Sequence, residues 1–316
     1  MANTNVNRQI TSFADATRVT PVPGTDDQFE ATIHWDWCGG LHAHGGFTLS
    51  LVFSAVRTFF LRKYPSTPQP DPIHSNIHFI QPAPRGRVVL TVTELSHGKR
   101  YSTVEVKIRD PAGSICTSAT VIQGNLATED GPSIAAVPPV MTLDEIPDRE
   151  RDCNQSIPIP LLVKLMPVIR KMRVLKRKEA ETQFWSRKGA AGLNTKETWV
   201  RWEDPNQKLD VISLGVVCDN FLPAPLNYDP TMADLSKYVF PTMCMSVEIK
   251  KDPKDAEWLF LETVCHKVQN GRFDTDVRVL DENGDLVALS KHVSVMAEMK
   301  RTKASKITVG DEFSKL

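Results

Sequence analysis

The sequence predicts an α+β protein made of two similar modules, each a long antiparallel sheet wrapped around one apolar helix. Three observations lead there: a hairpin pattern that occurs twice, a helical run ahead of each copy, and strands of period-2 alternation around both. The first hairpin reads Gly98-Lys99-Arg100-Tyr101-Ser102-Thr103, then alternating Val104, Val106 and Ile108, then Asp110-Pro111-Ala112-Gly113-Ser114-Ile115-Cys116. The second reads Gly271-Arg272-Phe273-Asp274-Thr275, then Val277, Val279 and Leu280, then Asp281-Glu282-Asn283-Gly284-Asp285-Leu286-Val287. Arg100 and Arg272 lie 172 residues apart and Gly113 and Gly284 lie 171 apart, so one residue separates two otherwise parallel copies. Each is a strand, an Asp-x-x-Gly turn and a second strand.

The elements before the hairpins repeat as well. A strand at 29–37, a helix at 47–63 entered through Gly45-Gly46, and strands at 75–81 and 87–95 precede the first. A strand at 195–202, a helical run at 209–221, and strands at 242–250 and 258–267 precede the second. Strand, helix and four strands in that order form a hotdog module, and two modules in one chain join their sheets edge to edge as a double hotdog. The chain then divides into an N-terminal extension (1–27), an N-terminal module (28–125), a linker (126–190), a C-terminal module (191–300) and a tail (301–316). Pro and polar residues mark the linker, and 159–181 within it reads as an amphipathic helix. That helix carries Lys164, Arg170, Lys171, Arg173, Lys176, Arg177 and Lys178, with Pro167 starting or kinking it.

Composition narrows the function classes. At 316 residues, with 41% hydrophobic and 24% charged side chains, the chain has the make-up of a soluble globular protein. A net charge of zero argues against nucleic acid as a partner. No apolar run approaches the roughly 20 residues of a membrane span, and residues 1–8 lack the apolar stretch of a secretory signal. Six cysteines (Cys38, Cys116, Cys153, Cys218, Cys244, Cys265) are scattered singly, without metal-ligand spacing, and read as reduced and mostly buried. No metal or redox cofactor is expected. The sequence ends in Ser314-Lys315-Leu316, the address read by the peroxisomal import receptor, so that receptor is an expected partner and the peroxisome the expected compartment. Acyl-CoA esters are the main traffic there.

The helix entry Gly45-Gly46-Phe47, the strand His74-Ser75-Asn76-Ile77-His78-Phe79-Ile80-Gln81-Pro82, the Gly98-to-Thr103 hairpin and the segment Cys218-Asp219-Asn220-Phe221-Leu222-Pro223 together resemble the type II acyl-CoA thioesterases. More closely, the chain is similar to fungal thioesterase-like members of that double-hotdog superfamily, over roughly 29–300. The resemblance implies hydrolysis of acyl-CoA to free acid and CoA, CoA entering only as part of the substrate. It further implies water activation by an Asp, a Thr or Ser, and a Gln of the second module. Carried over, these positions fall on Asp219, on Thr242, and on His292 in place of the glutamine. Imidazole exchanges a proton near neutral pH and an amide does not, so the set suits hydrolysis but equally lyase (dehydratase or hydratase), isomerase or cyclase chemistry on an acyl or polyketide intermediate. Loss of the glutamine is also compatible with a catalytically silent acyl-CoA-binding protein.

Each candidate has a plainer reading. Asp219 in the apolar Val216-Val217-Cys218-Asp219 run is costly to bury without a partner, which favours a role. Thr242 alone is an ordinary strand residue, and His292 an ordinary strand histidine. Gly45 and Gly46 either bring backbone N–H groups to a developing oxyanion or let the helix pack closely. His44 and His42 line the pocket or sit on a surface loop, and Phe79, Trp35 and Trp37 line an acyl tunnel or belong to the core. The basic face of 159–181 reads as solvated, or as a site for CoA phosphates. Homo-oligomerisation is a further expectation of the resemblance.

Overall fold

A computed structural model describes residues 10–298 apart from 135–136, 138, 159, 179–193, 229–237 and 255. The first module opens with β1 (Gln28–Ile33), whose inward-facing Phe29, Ala31 and Ile33 are buried. The helix α1 (Gly45–Lys63) follows, and then β2 (Asp71–Phe79), β3 (Gly86–Ser96), β4 (Ser102–Arg109) and β5 (Ile115–Gly124). The second half supplies β6 (Met172–Arg177), β7 (Thr195–Trp202), a short α2 (Leu214–Val217), β8 (Thr242–Ile249), β9 (Leu259–Val264), β10 (Arg272–Leu280) and β11 (Leu286–Val295).

All of these strands belong to one 14-stranded antiparallel sheet. Its path through the first module is β1-β3-β4-β5-β2 and through the second β7-β9-β10-β11-β8, the same route taken twice. The two routes meet at β2 and β8, which pair with Asn76 opposite Ser246 at the centre of the junction. Pairing of two edges removes the exposed hydrogen-bonding groups that each would otherwise present. The two hairpins keep equivalent registers, for Val104 pairs with Val121 and Thr275 with His292.

The helix α1 is apolar around most of its circumference, with Phe47, Leu49, Leu51, Val52, Phe53, Val56 and Phe60 buried, as a helix enclosed on all sides requires. Each such side chain contributes about 1.5–3 kcal/mol on leaving water. Against it lies α2, in very close contact. A Cβ placed on Gly46 would stand 2.4 Å from the Gly215 carbonyl oxygen, and one on Gly215 would stand 2.8 Å from that of Gly46. The Ser50 hydroxyl donates to the Ile212 carbonyl across the same contact (2.8 Å).

Two expected helices differ from expectation. Over 209–221 only Leu214–Val217 is α-helical, because Asp210 and Ser213 close a turn first: Ser213 N–H donates to Asp210 Oδ1 and Asp210 N–H to Ser213 Oγ. The basic helix over 159–181 is instead a helix at Pro160–Leu165, a 3-10 turn at Pro167–Lys171 and the strand β6, with 179–181 outside the described residues. Pro167 has no N–H to continue the first helix. Three of these basic side chains are paired with carboxylates, Lys171 with Asp36, Arg173 with Glu203 and Arg177 with Glu197, and Lys178 Nζ donates to the Arg151 carbonyl. These four are thereby engaged within the protein. The segment over 10–27 is part of the fold: Phe13 is buried and Thr20–Pro21 pairs with β1.

Candidate active site

Asp219 lies just past α2, where the chain leaves the helix contact and turns toward Pro223. The start of α1 lacks a side-chain cap of its own, since His44 occupies the capping position without making that bond. The missing acceptor comes from 173 residues away: Gly46 N–H donates to Asp219 Oδ2 at 2.6 Å. A helix N terminus favours negative charge, so this contact holds a carboxylate there. Gly45 makes the room, for a Cβ on it would stand 2.9 Å from Asp219 Oδ2 and 3.2 Å from the ring of Phe79.

The other carboxylate oxygen looks toward β11. His292 Nδ1 is 3.8 Å from Asp219 Oδ1, and the imidazole is fully enclosed, with the Phe221 ring set edge-on at 5.0 Å. Among the described residues Nδ1 has no hydrogen-bond partner. Nε2 lies 3.0 Å from the Ser290 hydroxyl, which donates to the Ser246 carbonyl of β8. Burial pulls the His292 pKa below its ordinary value, against the opposing pull of Asp219 and the Cys218 backbone, so the ring is neutral in the folded protein. The Cys218 thiol beside Asp219 is pushed well up by burial and by that carboxylate, which keeps it protonated.

His44 reaches the same carboxylate from the first module, with Nε2 3.5 Å from Asp219 Oδ2. Asp219 therefore sits between two imidazoles, one exposed enough to meet a ligand and one sealed. Thr242, at the far end of β8, faces Ser294 Oγ at 3.3 Å, and Ser294 is one same-face step along β11 from His292. The structure thus brings Asp219, His292, His44, Gly45 and Phe79 together, while the Thr242 hydroxyl meets Ser294, and Met245 is the β8 residue opposite His292. Gly46 serves packing and the bond to Asp219, so its N–H is not free for a substrate oxygen. Trp37 is core, stacked on Phe47 at 5.0 Å, and His42 is exposed.

Family models match almost end to end: one described as the acyl-CoA thioesterase N-terminal domain over residues 33–124, and one described as the C-terminal domain over 143–296. The chain belongs to the acyl-CoA thioesterase family. It is 21% identical over 339 aligned positions to the thioesterase-like protein TwmA of Talaromyces wortmannii, covering 93% of this chain and 94% of that one. Among solved structures, a protein of Thermobifida fusca assigned as a thioesterase II superposes with a TM-score of 0.70 at 18% identity, covering 91% of this chain and 98% of that one. A hot dog protein of Alicyclobacillus acidocaldarius gives 0.67 at 19%, covering 92% and 100%.

Within this acyl-CoA thioesterase family fold, the two modules are not equivalent at the site. Thr275 and His292 of the second module stand where the first has Val104 and Val121, all four buried. The reciprocal contact of Gly46 with Gly215 sets Ser50, four residues after the first, where the second module has Asp219, four residues after the second. At the paired strand positions the first module is therefore apolar where the second is polar. Ser290 and Phe221 were not singled out from sequence. The signal for Ser290 is in the repeat: Ser290-x-His292-x-Ser294 on an inward face, against Ala119-x-Val121-x-Gln123 in the first copy.

Other titratable groups gather on the opposite face of the sheet. A groove of about 320 Å³ there is lined by His74, Glu248, His266, Asp276, Arg278 and Lys291 among others. His266, Asp274 and Asp276 approach one another closely enough to hold a cation, but His266 is exposed, the aspartates are half-buried, and all three already belong to an ion network, His266 with Asp274 at 2.6 Å and Lys291 with Asp276 at 3.7 Å. Neither feature reaches Asp219, which lies on the helix side.

Proposed function

We propose that this chain hydrolyses acyl-CoA thioesters, with Asp219 as the general base, and that it does so in peroxisomes. The observation that carries the reading is the position of Asp219, fixed by Gly46 N–H through one oxygen while the other faces the unpartnered Nδ1 of His292. In the proposed step a water oxygen attacks the thioester carbonyl as its proton passes to Asp219. The C–S bond then breaks, and the CoA sulfur leaves with the proton that Asp219 returns.

Asp219 has a second, structural duty as the cap of α1, and one substitution separates the two. Asn caps a helix about as well as Asp but does not accept a proton. Asp219→Asn is expected to keep its unfolding free energy within about 1 kcal/mol while release of free CoA from short, medium, long and aromatic acyl-CoAs falls by about 100-fold or more. Release that survives in Asp219→Asn, or is absent from the wild type on every substrate, would overturn the reading. A second reading, lyase or isomerase chemistry on an acyl chain, draws on the two imidazoles flanking one carboxylate, and product analysis in the same assay separates it. The compartment rests on Ser314-Lys315-Leu316 alone, and a fluorescent protein ending in residues 299–316 that stays cytosolic would remove it.

A further inference from the structure

We infer that Ser290 is a positioning residue that locks His292 in its Nε2–H tautomer, so that Nδ1 and Asp219 Oδ1 together form a two-acceptor seat for the attacking water. The inference rests on the hydrolytic reading for what the seat does, but the tautomer itself follows from proton accounting.

A neutral imidazole carries one proton and two candidate places for it. At Nε2 the neighbour is the Ser290 hydroxyl at 3.0 Å, which has a single proton and a carbonyl acceptor, Ser246 O, at 2.8 Å. A carbonyl cannot donate, so a serine proton engaged there leaves the serine oxygen as an acceptor toward Nε2–H. That arrangement makes two hydrogen bonds. With the serine proton turned to Nε2 instead, only one forms, and the ring proton moves to Nδ1. At Nδ1 the competing influences are the Cys218 backbone and Asp219 Oδ1, yet Nδ1 makes no hydrogen bond and the carboxylate oxygen is 3.8 Å off. The proton therefore belongs on Nε2, and the Nδ1 lone pair faces the carboxylate.

Two acceptors facing each other without a donor between them are unfavourable in a buried place. A separation of 3.8 Å suits one water that gives a proton to each and keeps its lone pairs outward, which is the posture of a nucleophile. In this tautomer His292 does what an amide oxygen would do: it accepts and orients. Asp219, Nδ1–Nε2 of His292 and Ser290 Oγ also lie in the connectivity of a serine–histidine–carboxylate relay. Ser290 is only 6% exposed, and its proton is held by Ser246, which argues for orientation rather than attack.

The test combines a double-substitution cycle with a direct reading of the tautomer. Ser290→Ala is expected to lower kcat for CoA release about tenfold at unchanged KM, and Ser290→Thr to restore most of it. In a His292→Gln background, which has no tautomer to lock, Ser290→Ala is expected to change kcat less than twofold. An equal loss in both backgrounds would make Ser290 merely structural, and an acyl group found on Ser290 by mass spectrometry would make it the nucleophile; either overturns the inference. Ring ¹⁵N shifts of histidine-labelled protein, assigned through His292→Gln, need no substrate. They are expected to show Nε2–H in the wild type and loss of that preference in Ser290→Ala. Nδ1–H or imidazolium at neutral pH would overturn the inference even if hydrolysis stands, and Nε2–H without CoA release would retain the lock and remove only the hydrolytic reading.

Discussion

His292 is sealed in the fold and neutral there, and this gives the protein a pH dependence that can be assigned to one side chain. Its pKa is depressed by burial from an ordinary value of 6.5. The sign follows from linkage: the unfolded chain binds a proton as pH falls through that value while the folded ring refuses it, so stability is full above it and is lost below it. Wild type is therefore expected to lose more unfolding free energy than His292→Gln between about pH 7.5 and about pH 5, by up to about 1.4 kcal/mol per pH unit below the unfolded value. Urea titrations at the two pH values check this, and a difference between the two proteins that does not change with pH would mean that the folded ring carries the charge. At this scale Asp219 stood out as a polar group in an apolar run, whereas His292 was reached only through the resemblance, at the family's glutamine position. Ser290 did not stand out, because a serine on a strand becomes informative only when its register against β8 and its counterpart Ala119 are known.

The contact between α1 and α2 decides where Asp219 stands, and its sequence signal is two glycines. Replacing Gly46 by Ala gains helix propensity, worth at most about 1 kcal/mol and less in a first turn. Against it, the new methyl meets the Gly215 carbonyl at 2.4 Å and the Asp219 Cβ at 2.7 Å, where the nearest atom is backbone and has nowhere to go. Overpacking of this kind costs about 1–3 kcal/mol, so Gly46→Ala is expected to be the less stable protein, with CoA release reduced alongside as Asp219 is displaced. A midpoint of urea unfolding equal to that of the wild type would show that the two helices are not in contact at this point. The shortness of α2 was hidden because an apolar run of 13 residues fits a helix as well as a buried turn and half-helix. Side-chain bonds between Asp210 and Ser213 chose the second. The strand β6 was hidden by its charges, which look like a solvated helix face until Glu197 and Glu203 are placed opposite Arg177 and Arg173.

Across the whole molecule, the repeat in the sequence was enough to predict two modules joined through their sheets, since hairpin register and strand order are local properties copied twice. A further contact between the two halves was not predictable, because it depends on the N-terminal segment folding back onto both. Thr11 N–H donates to Asp36 Oδ2 at 2.7 Å, and Lys171 Nζ donates to Thr11 O at 2.7 Å. Lys171 also pairs with Asp36, both nearly enclosed, and its ammonium stands 4.5 Å above the Trp37 ring. Phe13 and Trp37 then pack against Trp202 of β7, at 4.7 and 6.0 Å. One buried ion pair thus sits where the N-terminal segment, the first module and the approach to β6 meet. Desolvation pulls the Lys171 pKa below its ordinary value and Asp36 offsets only part of that pull, as in a buried pair whose burial cost is not fully repaid. Removing one partner leaves the other charged in a dry place, so Lys171→Met is expected to lose about 3 kcal/mol of unfolding free energy. Replacing both, Lys171→Met with Asp36→Leu, removes both desolvation costs together and is expected to recover at least half of that loss. Urea unfolding of the three proteins decides it: a double variant no more stable than Lys171→Met would show that this node holds the modules through the charge itself rather than through packing around it.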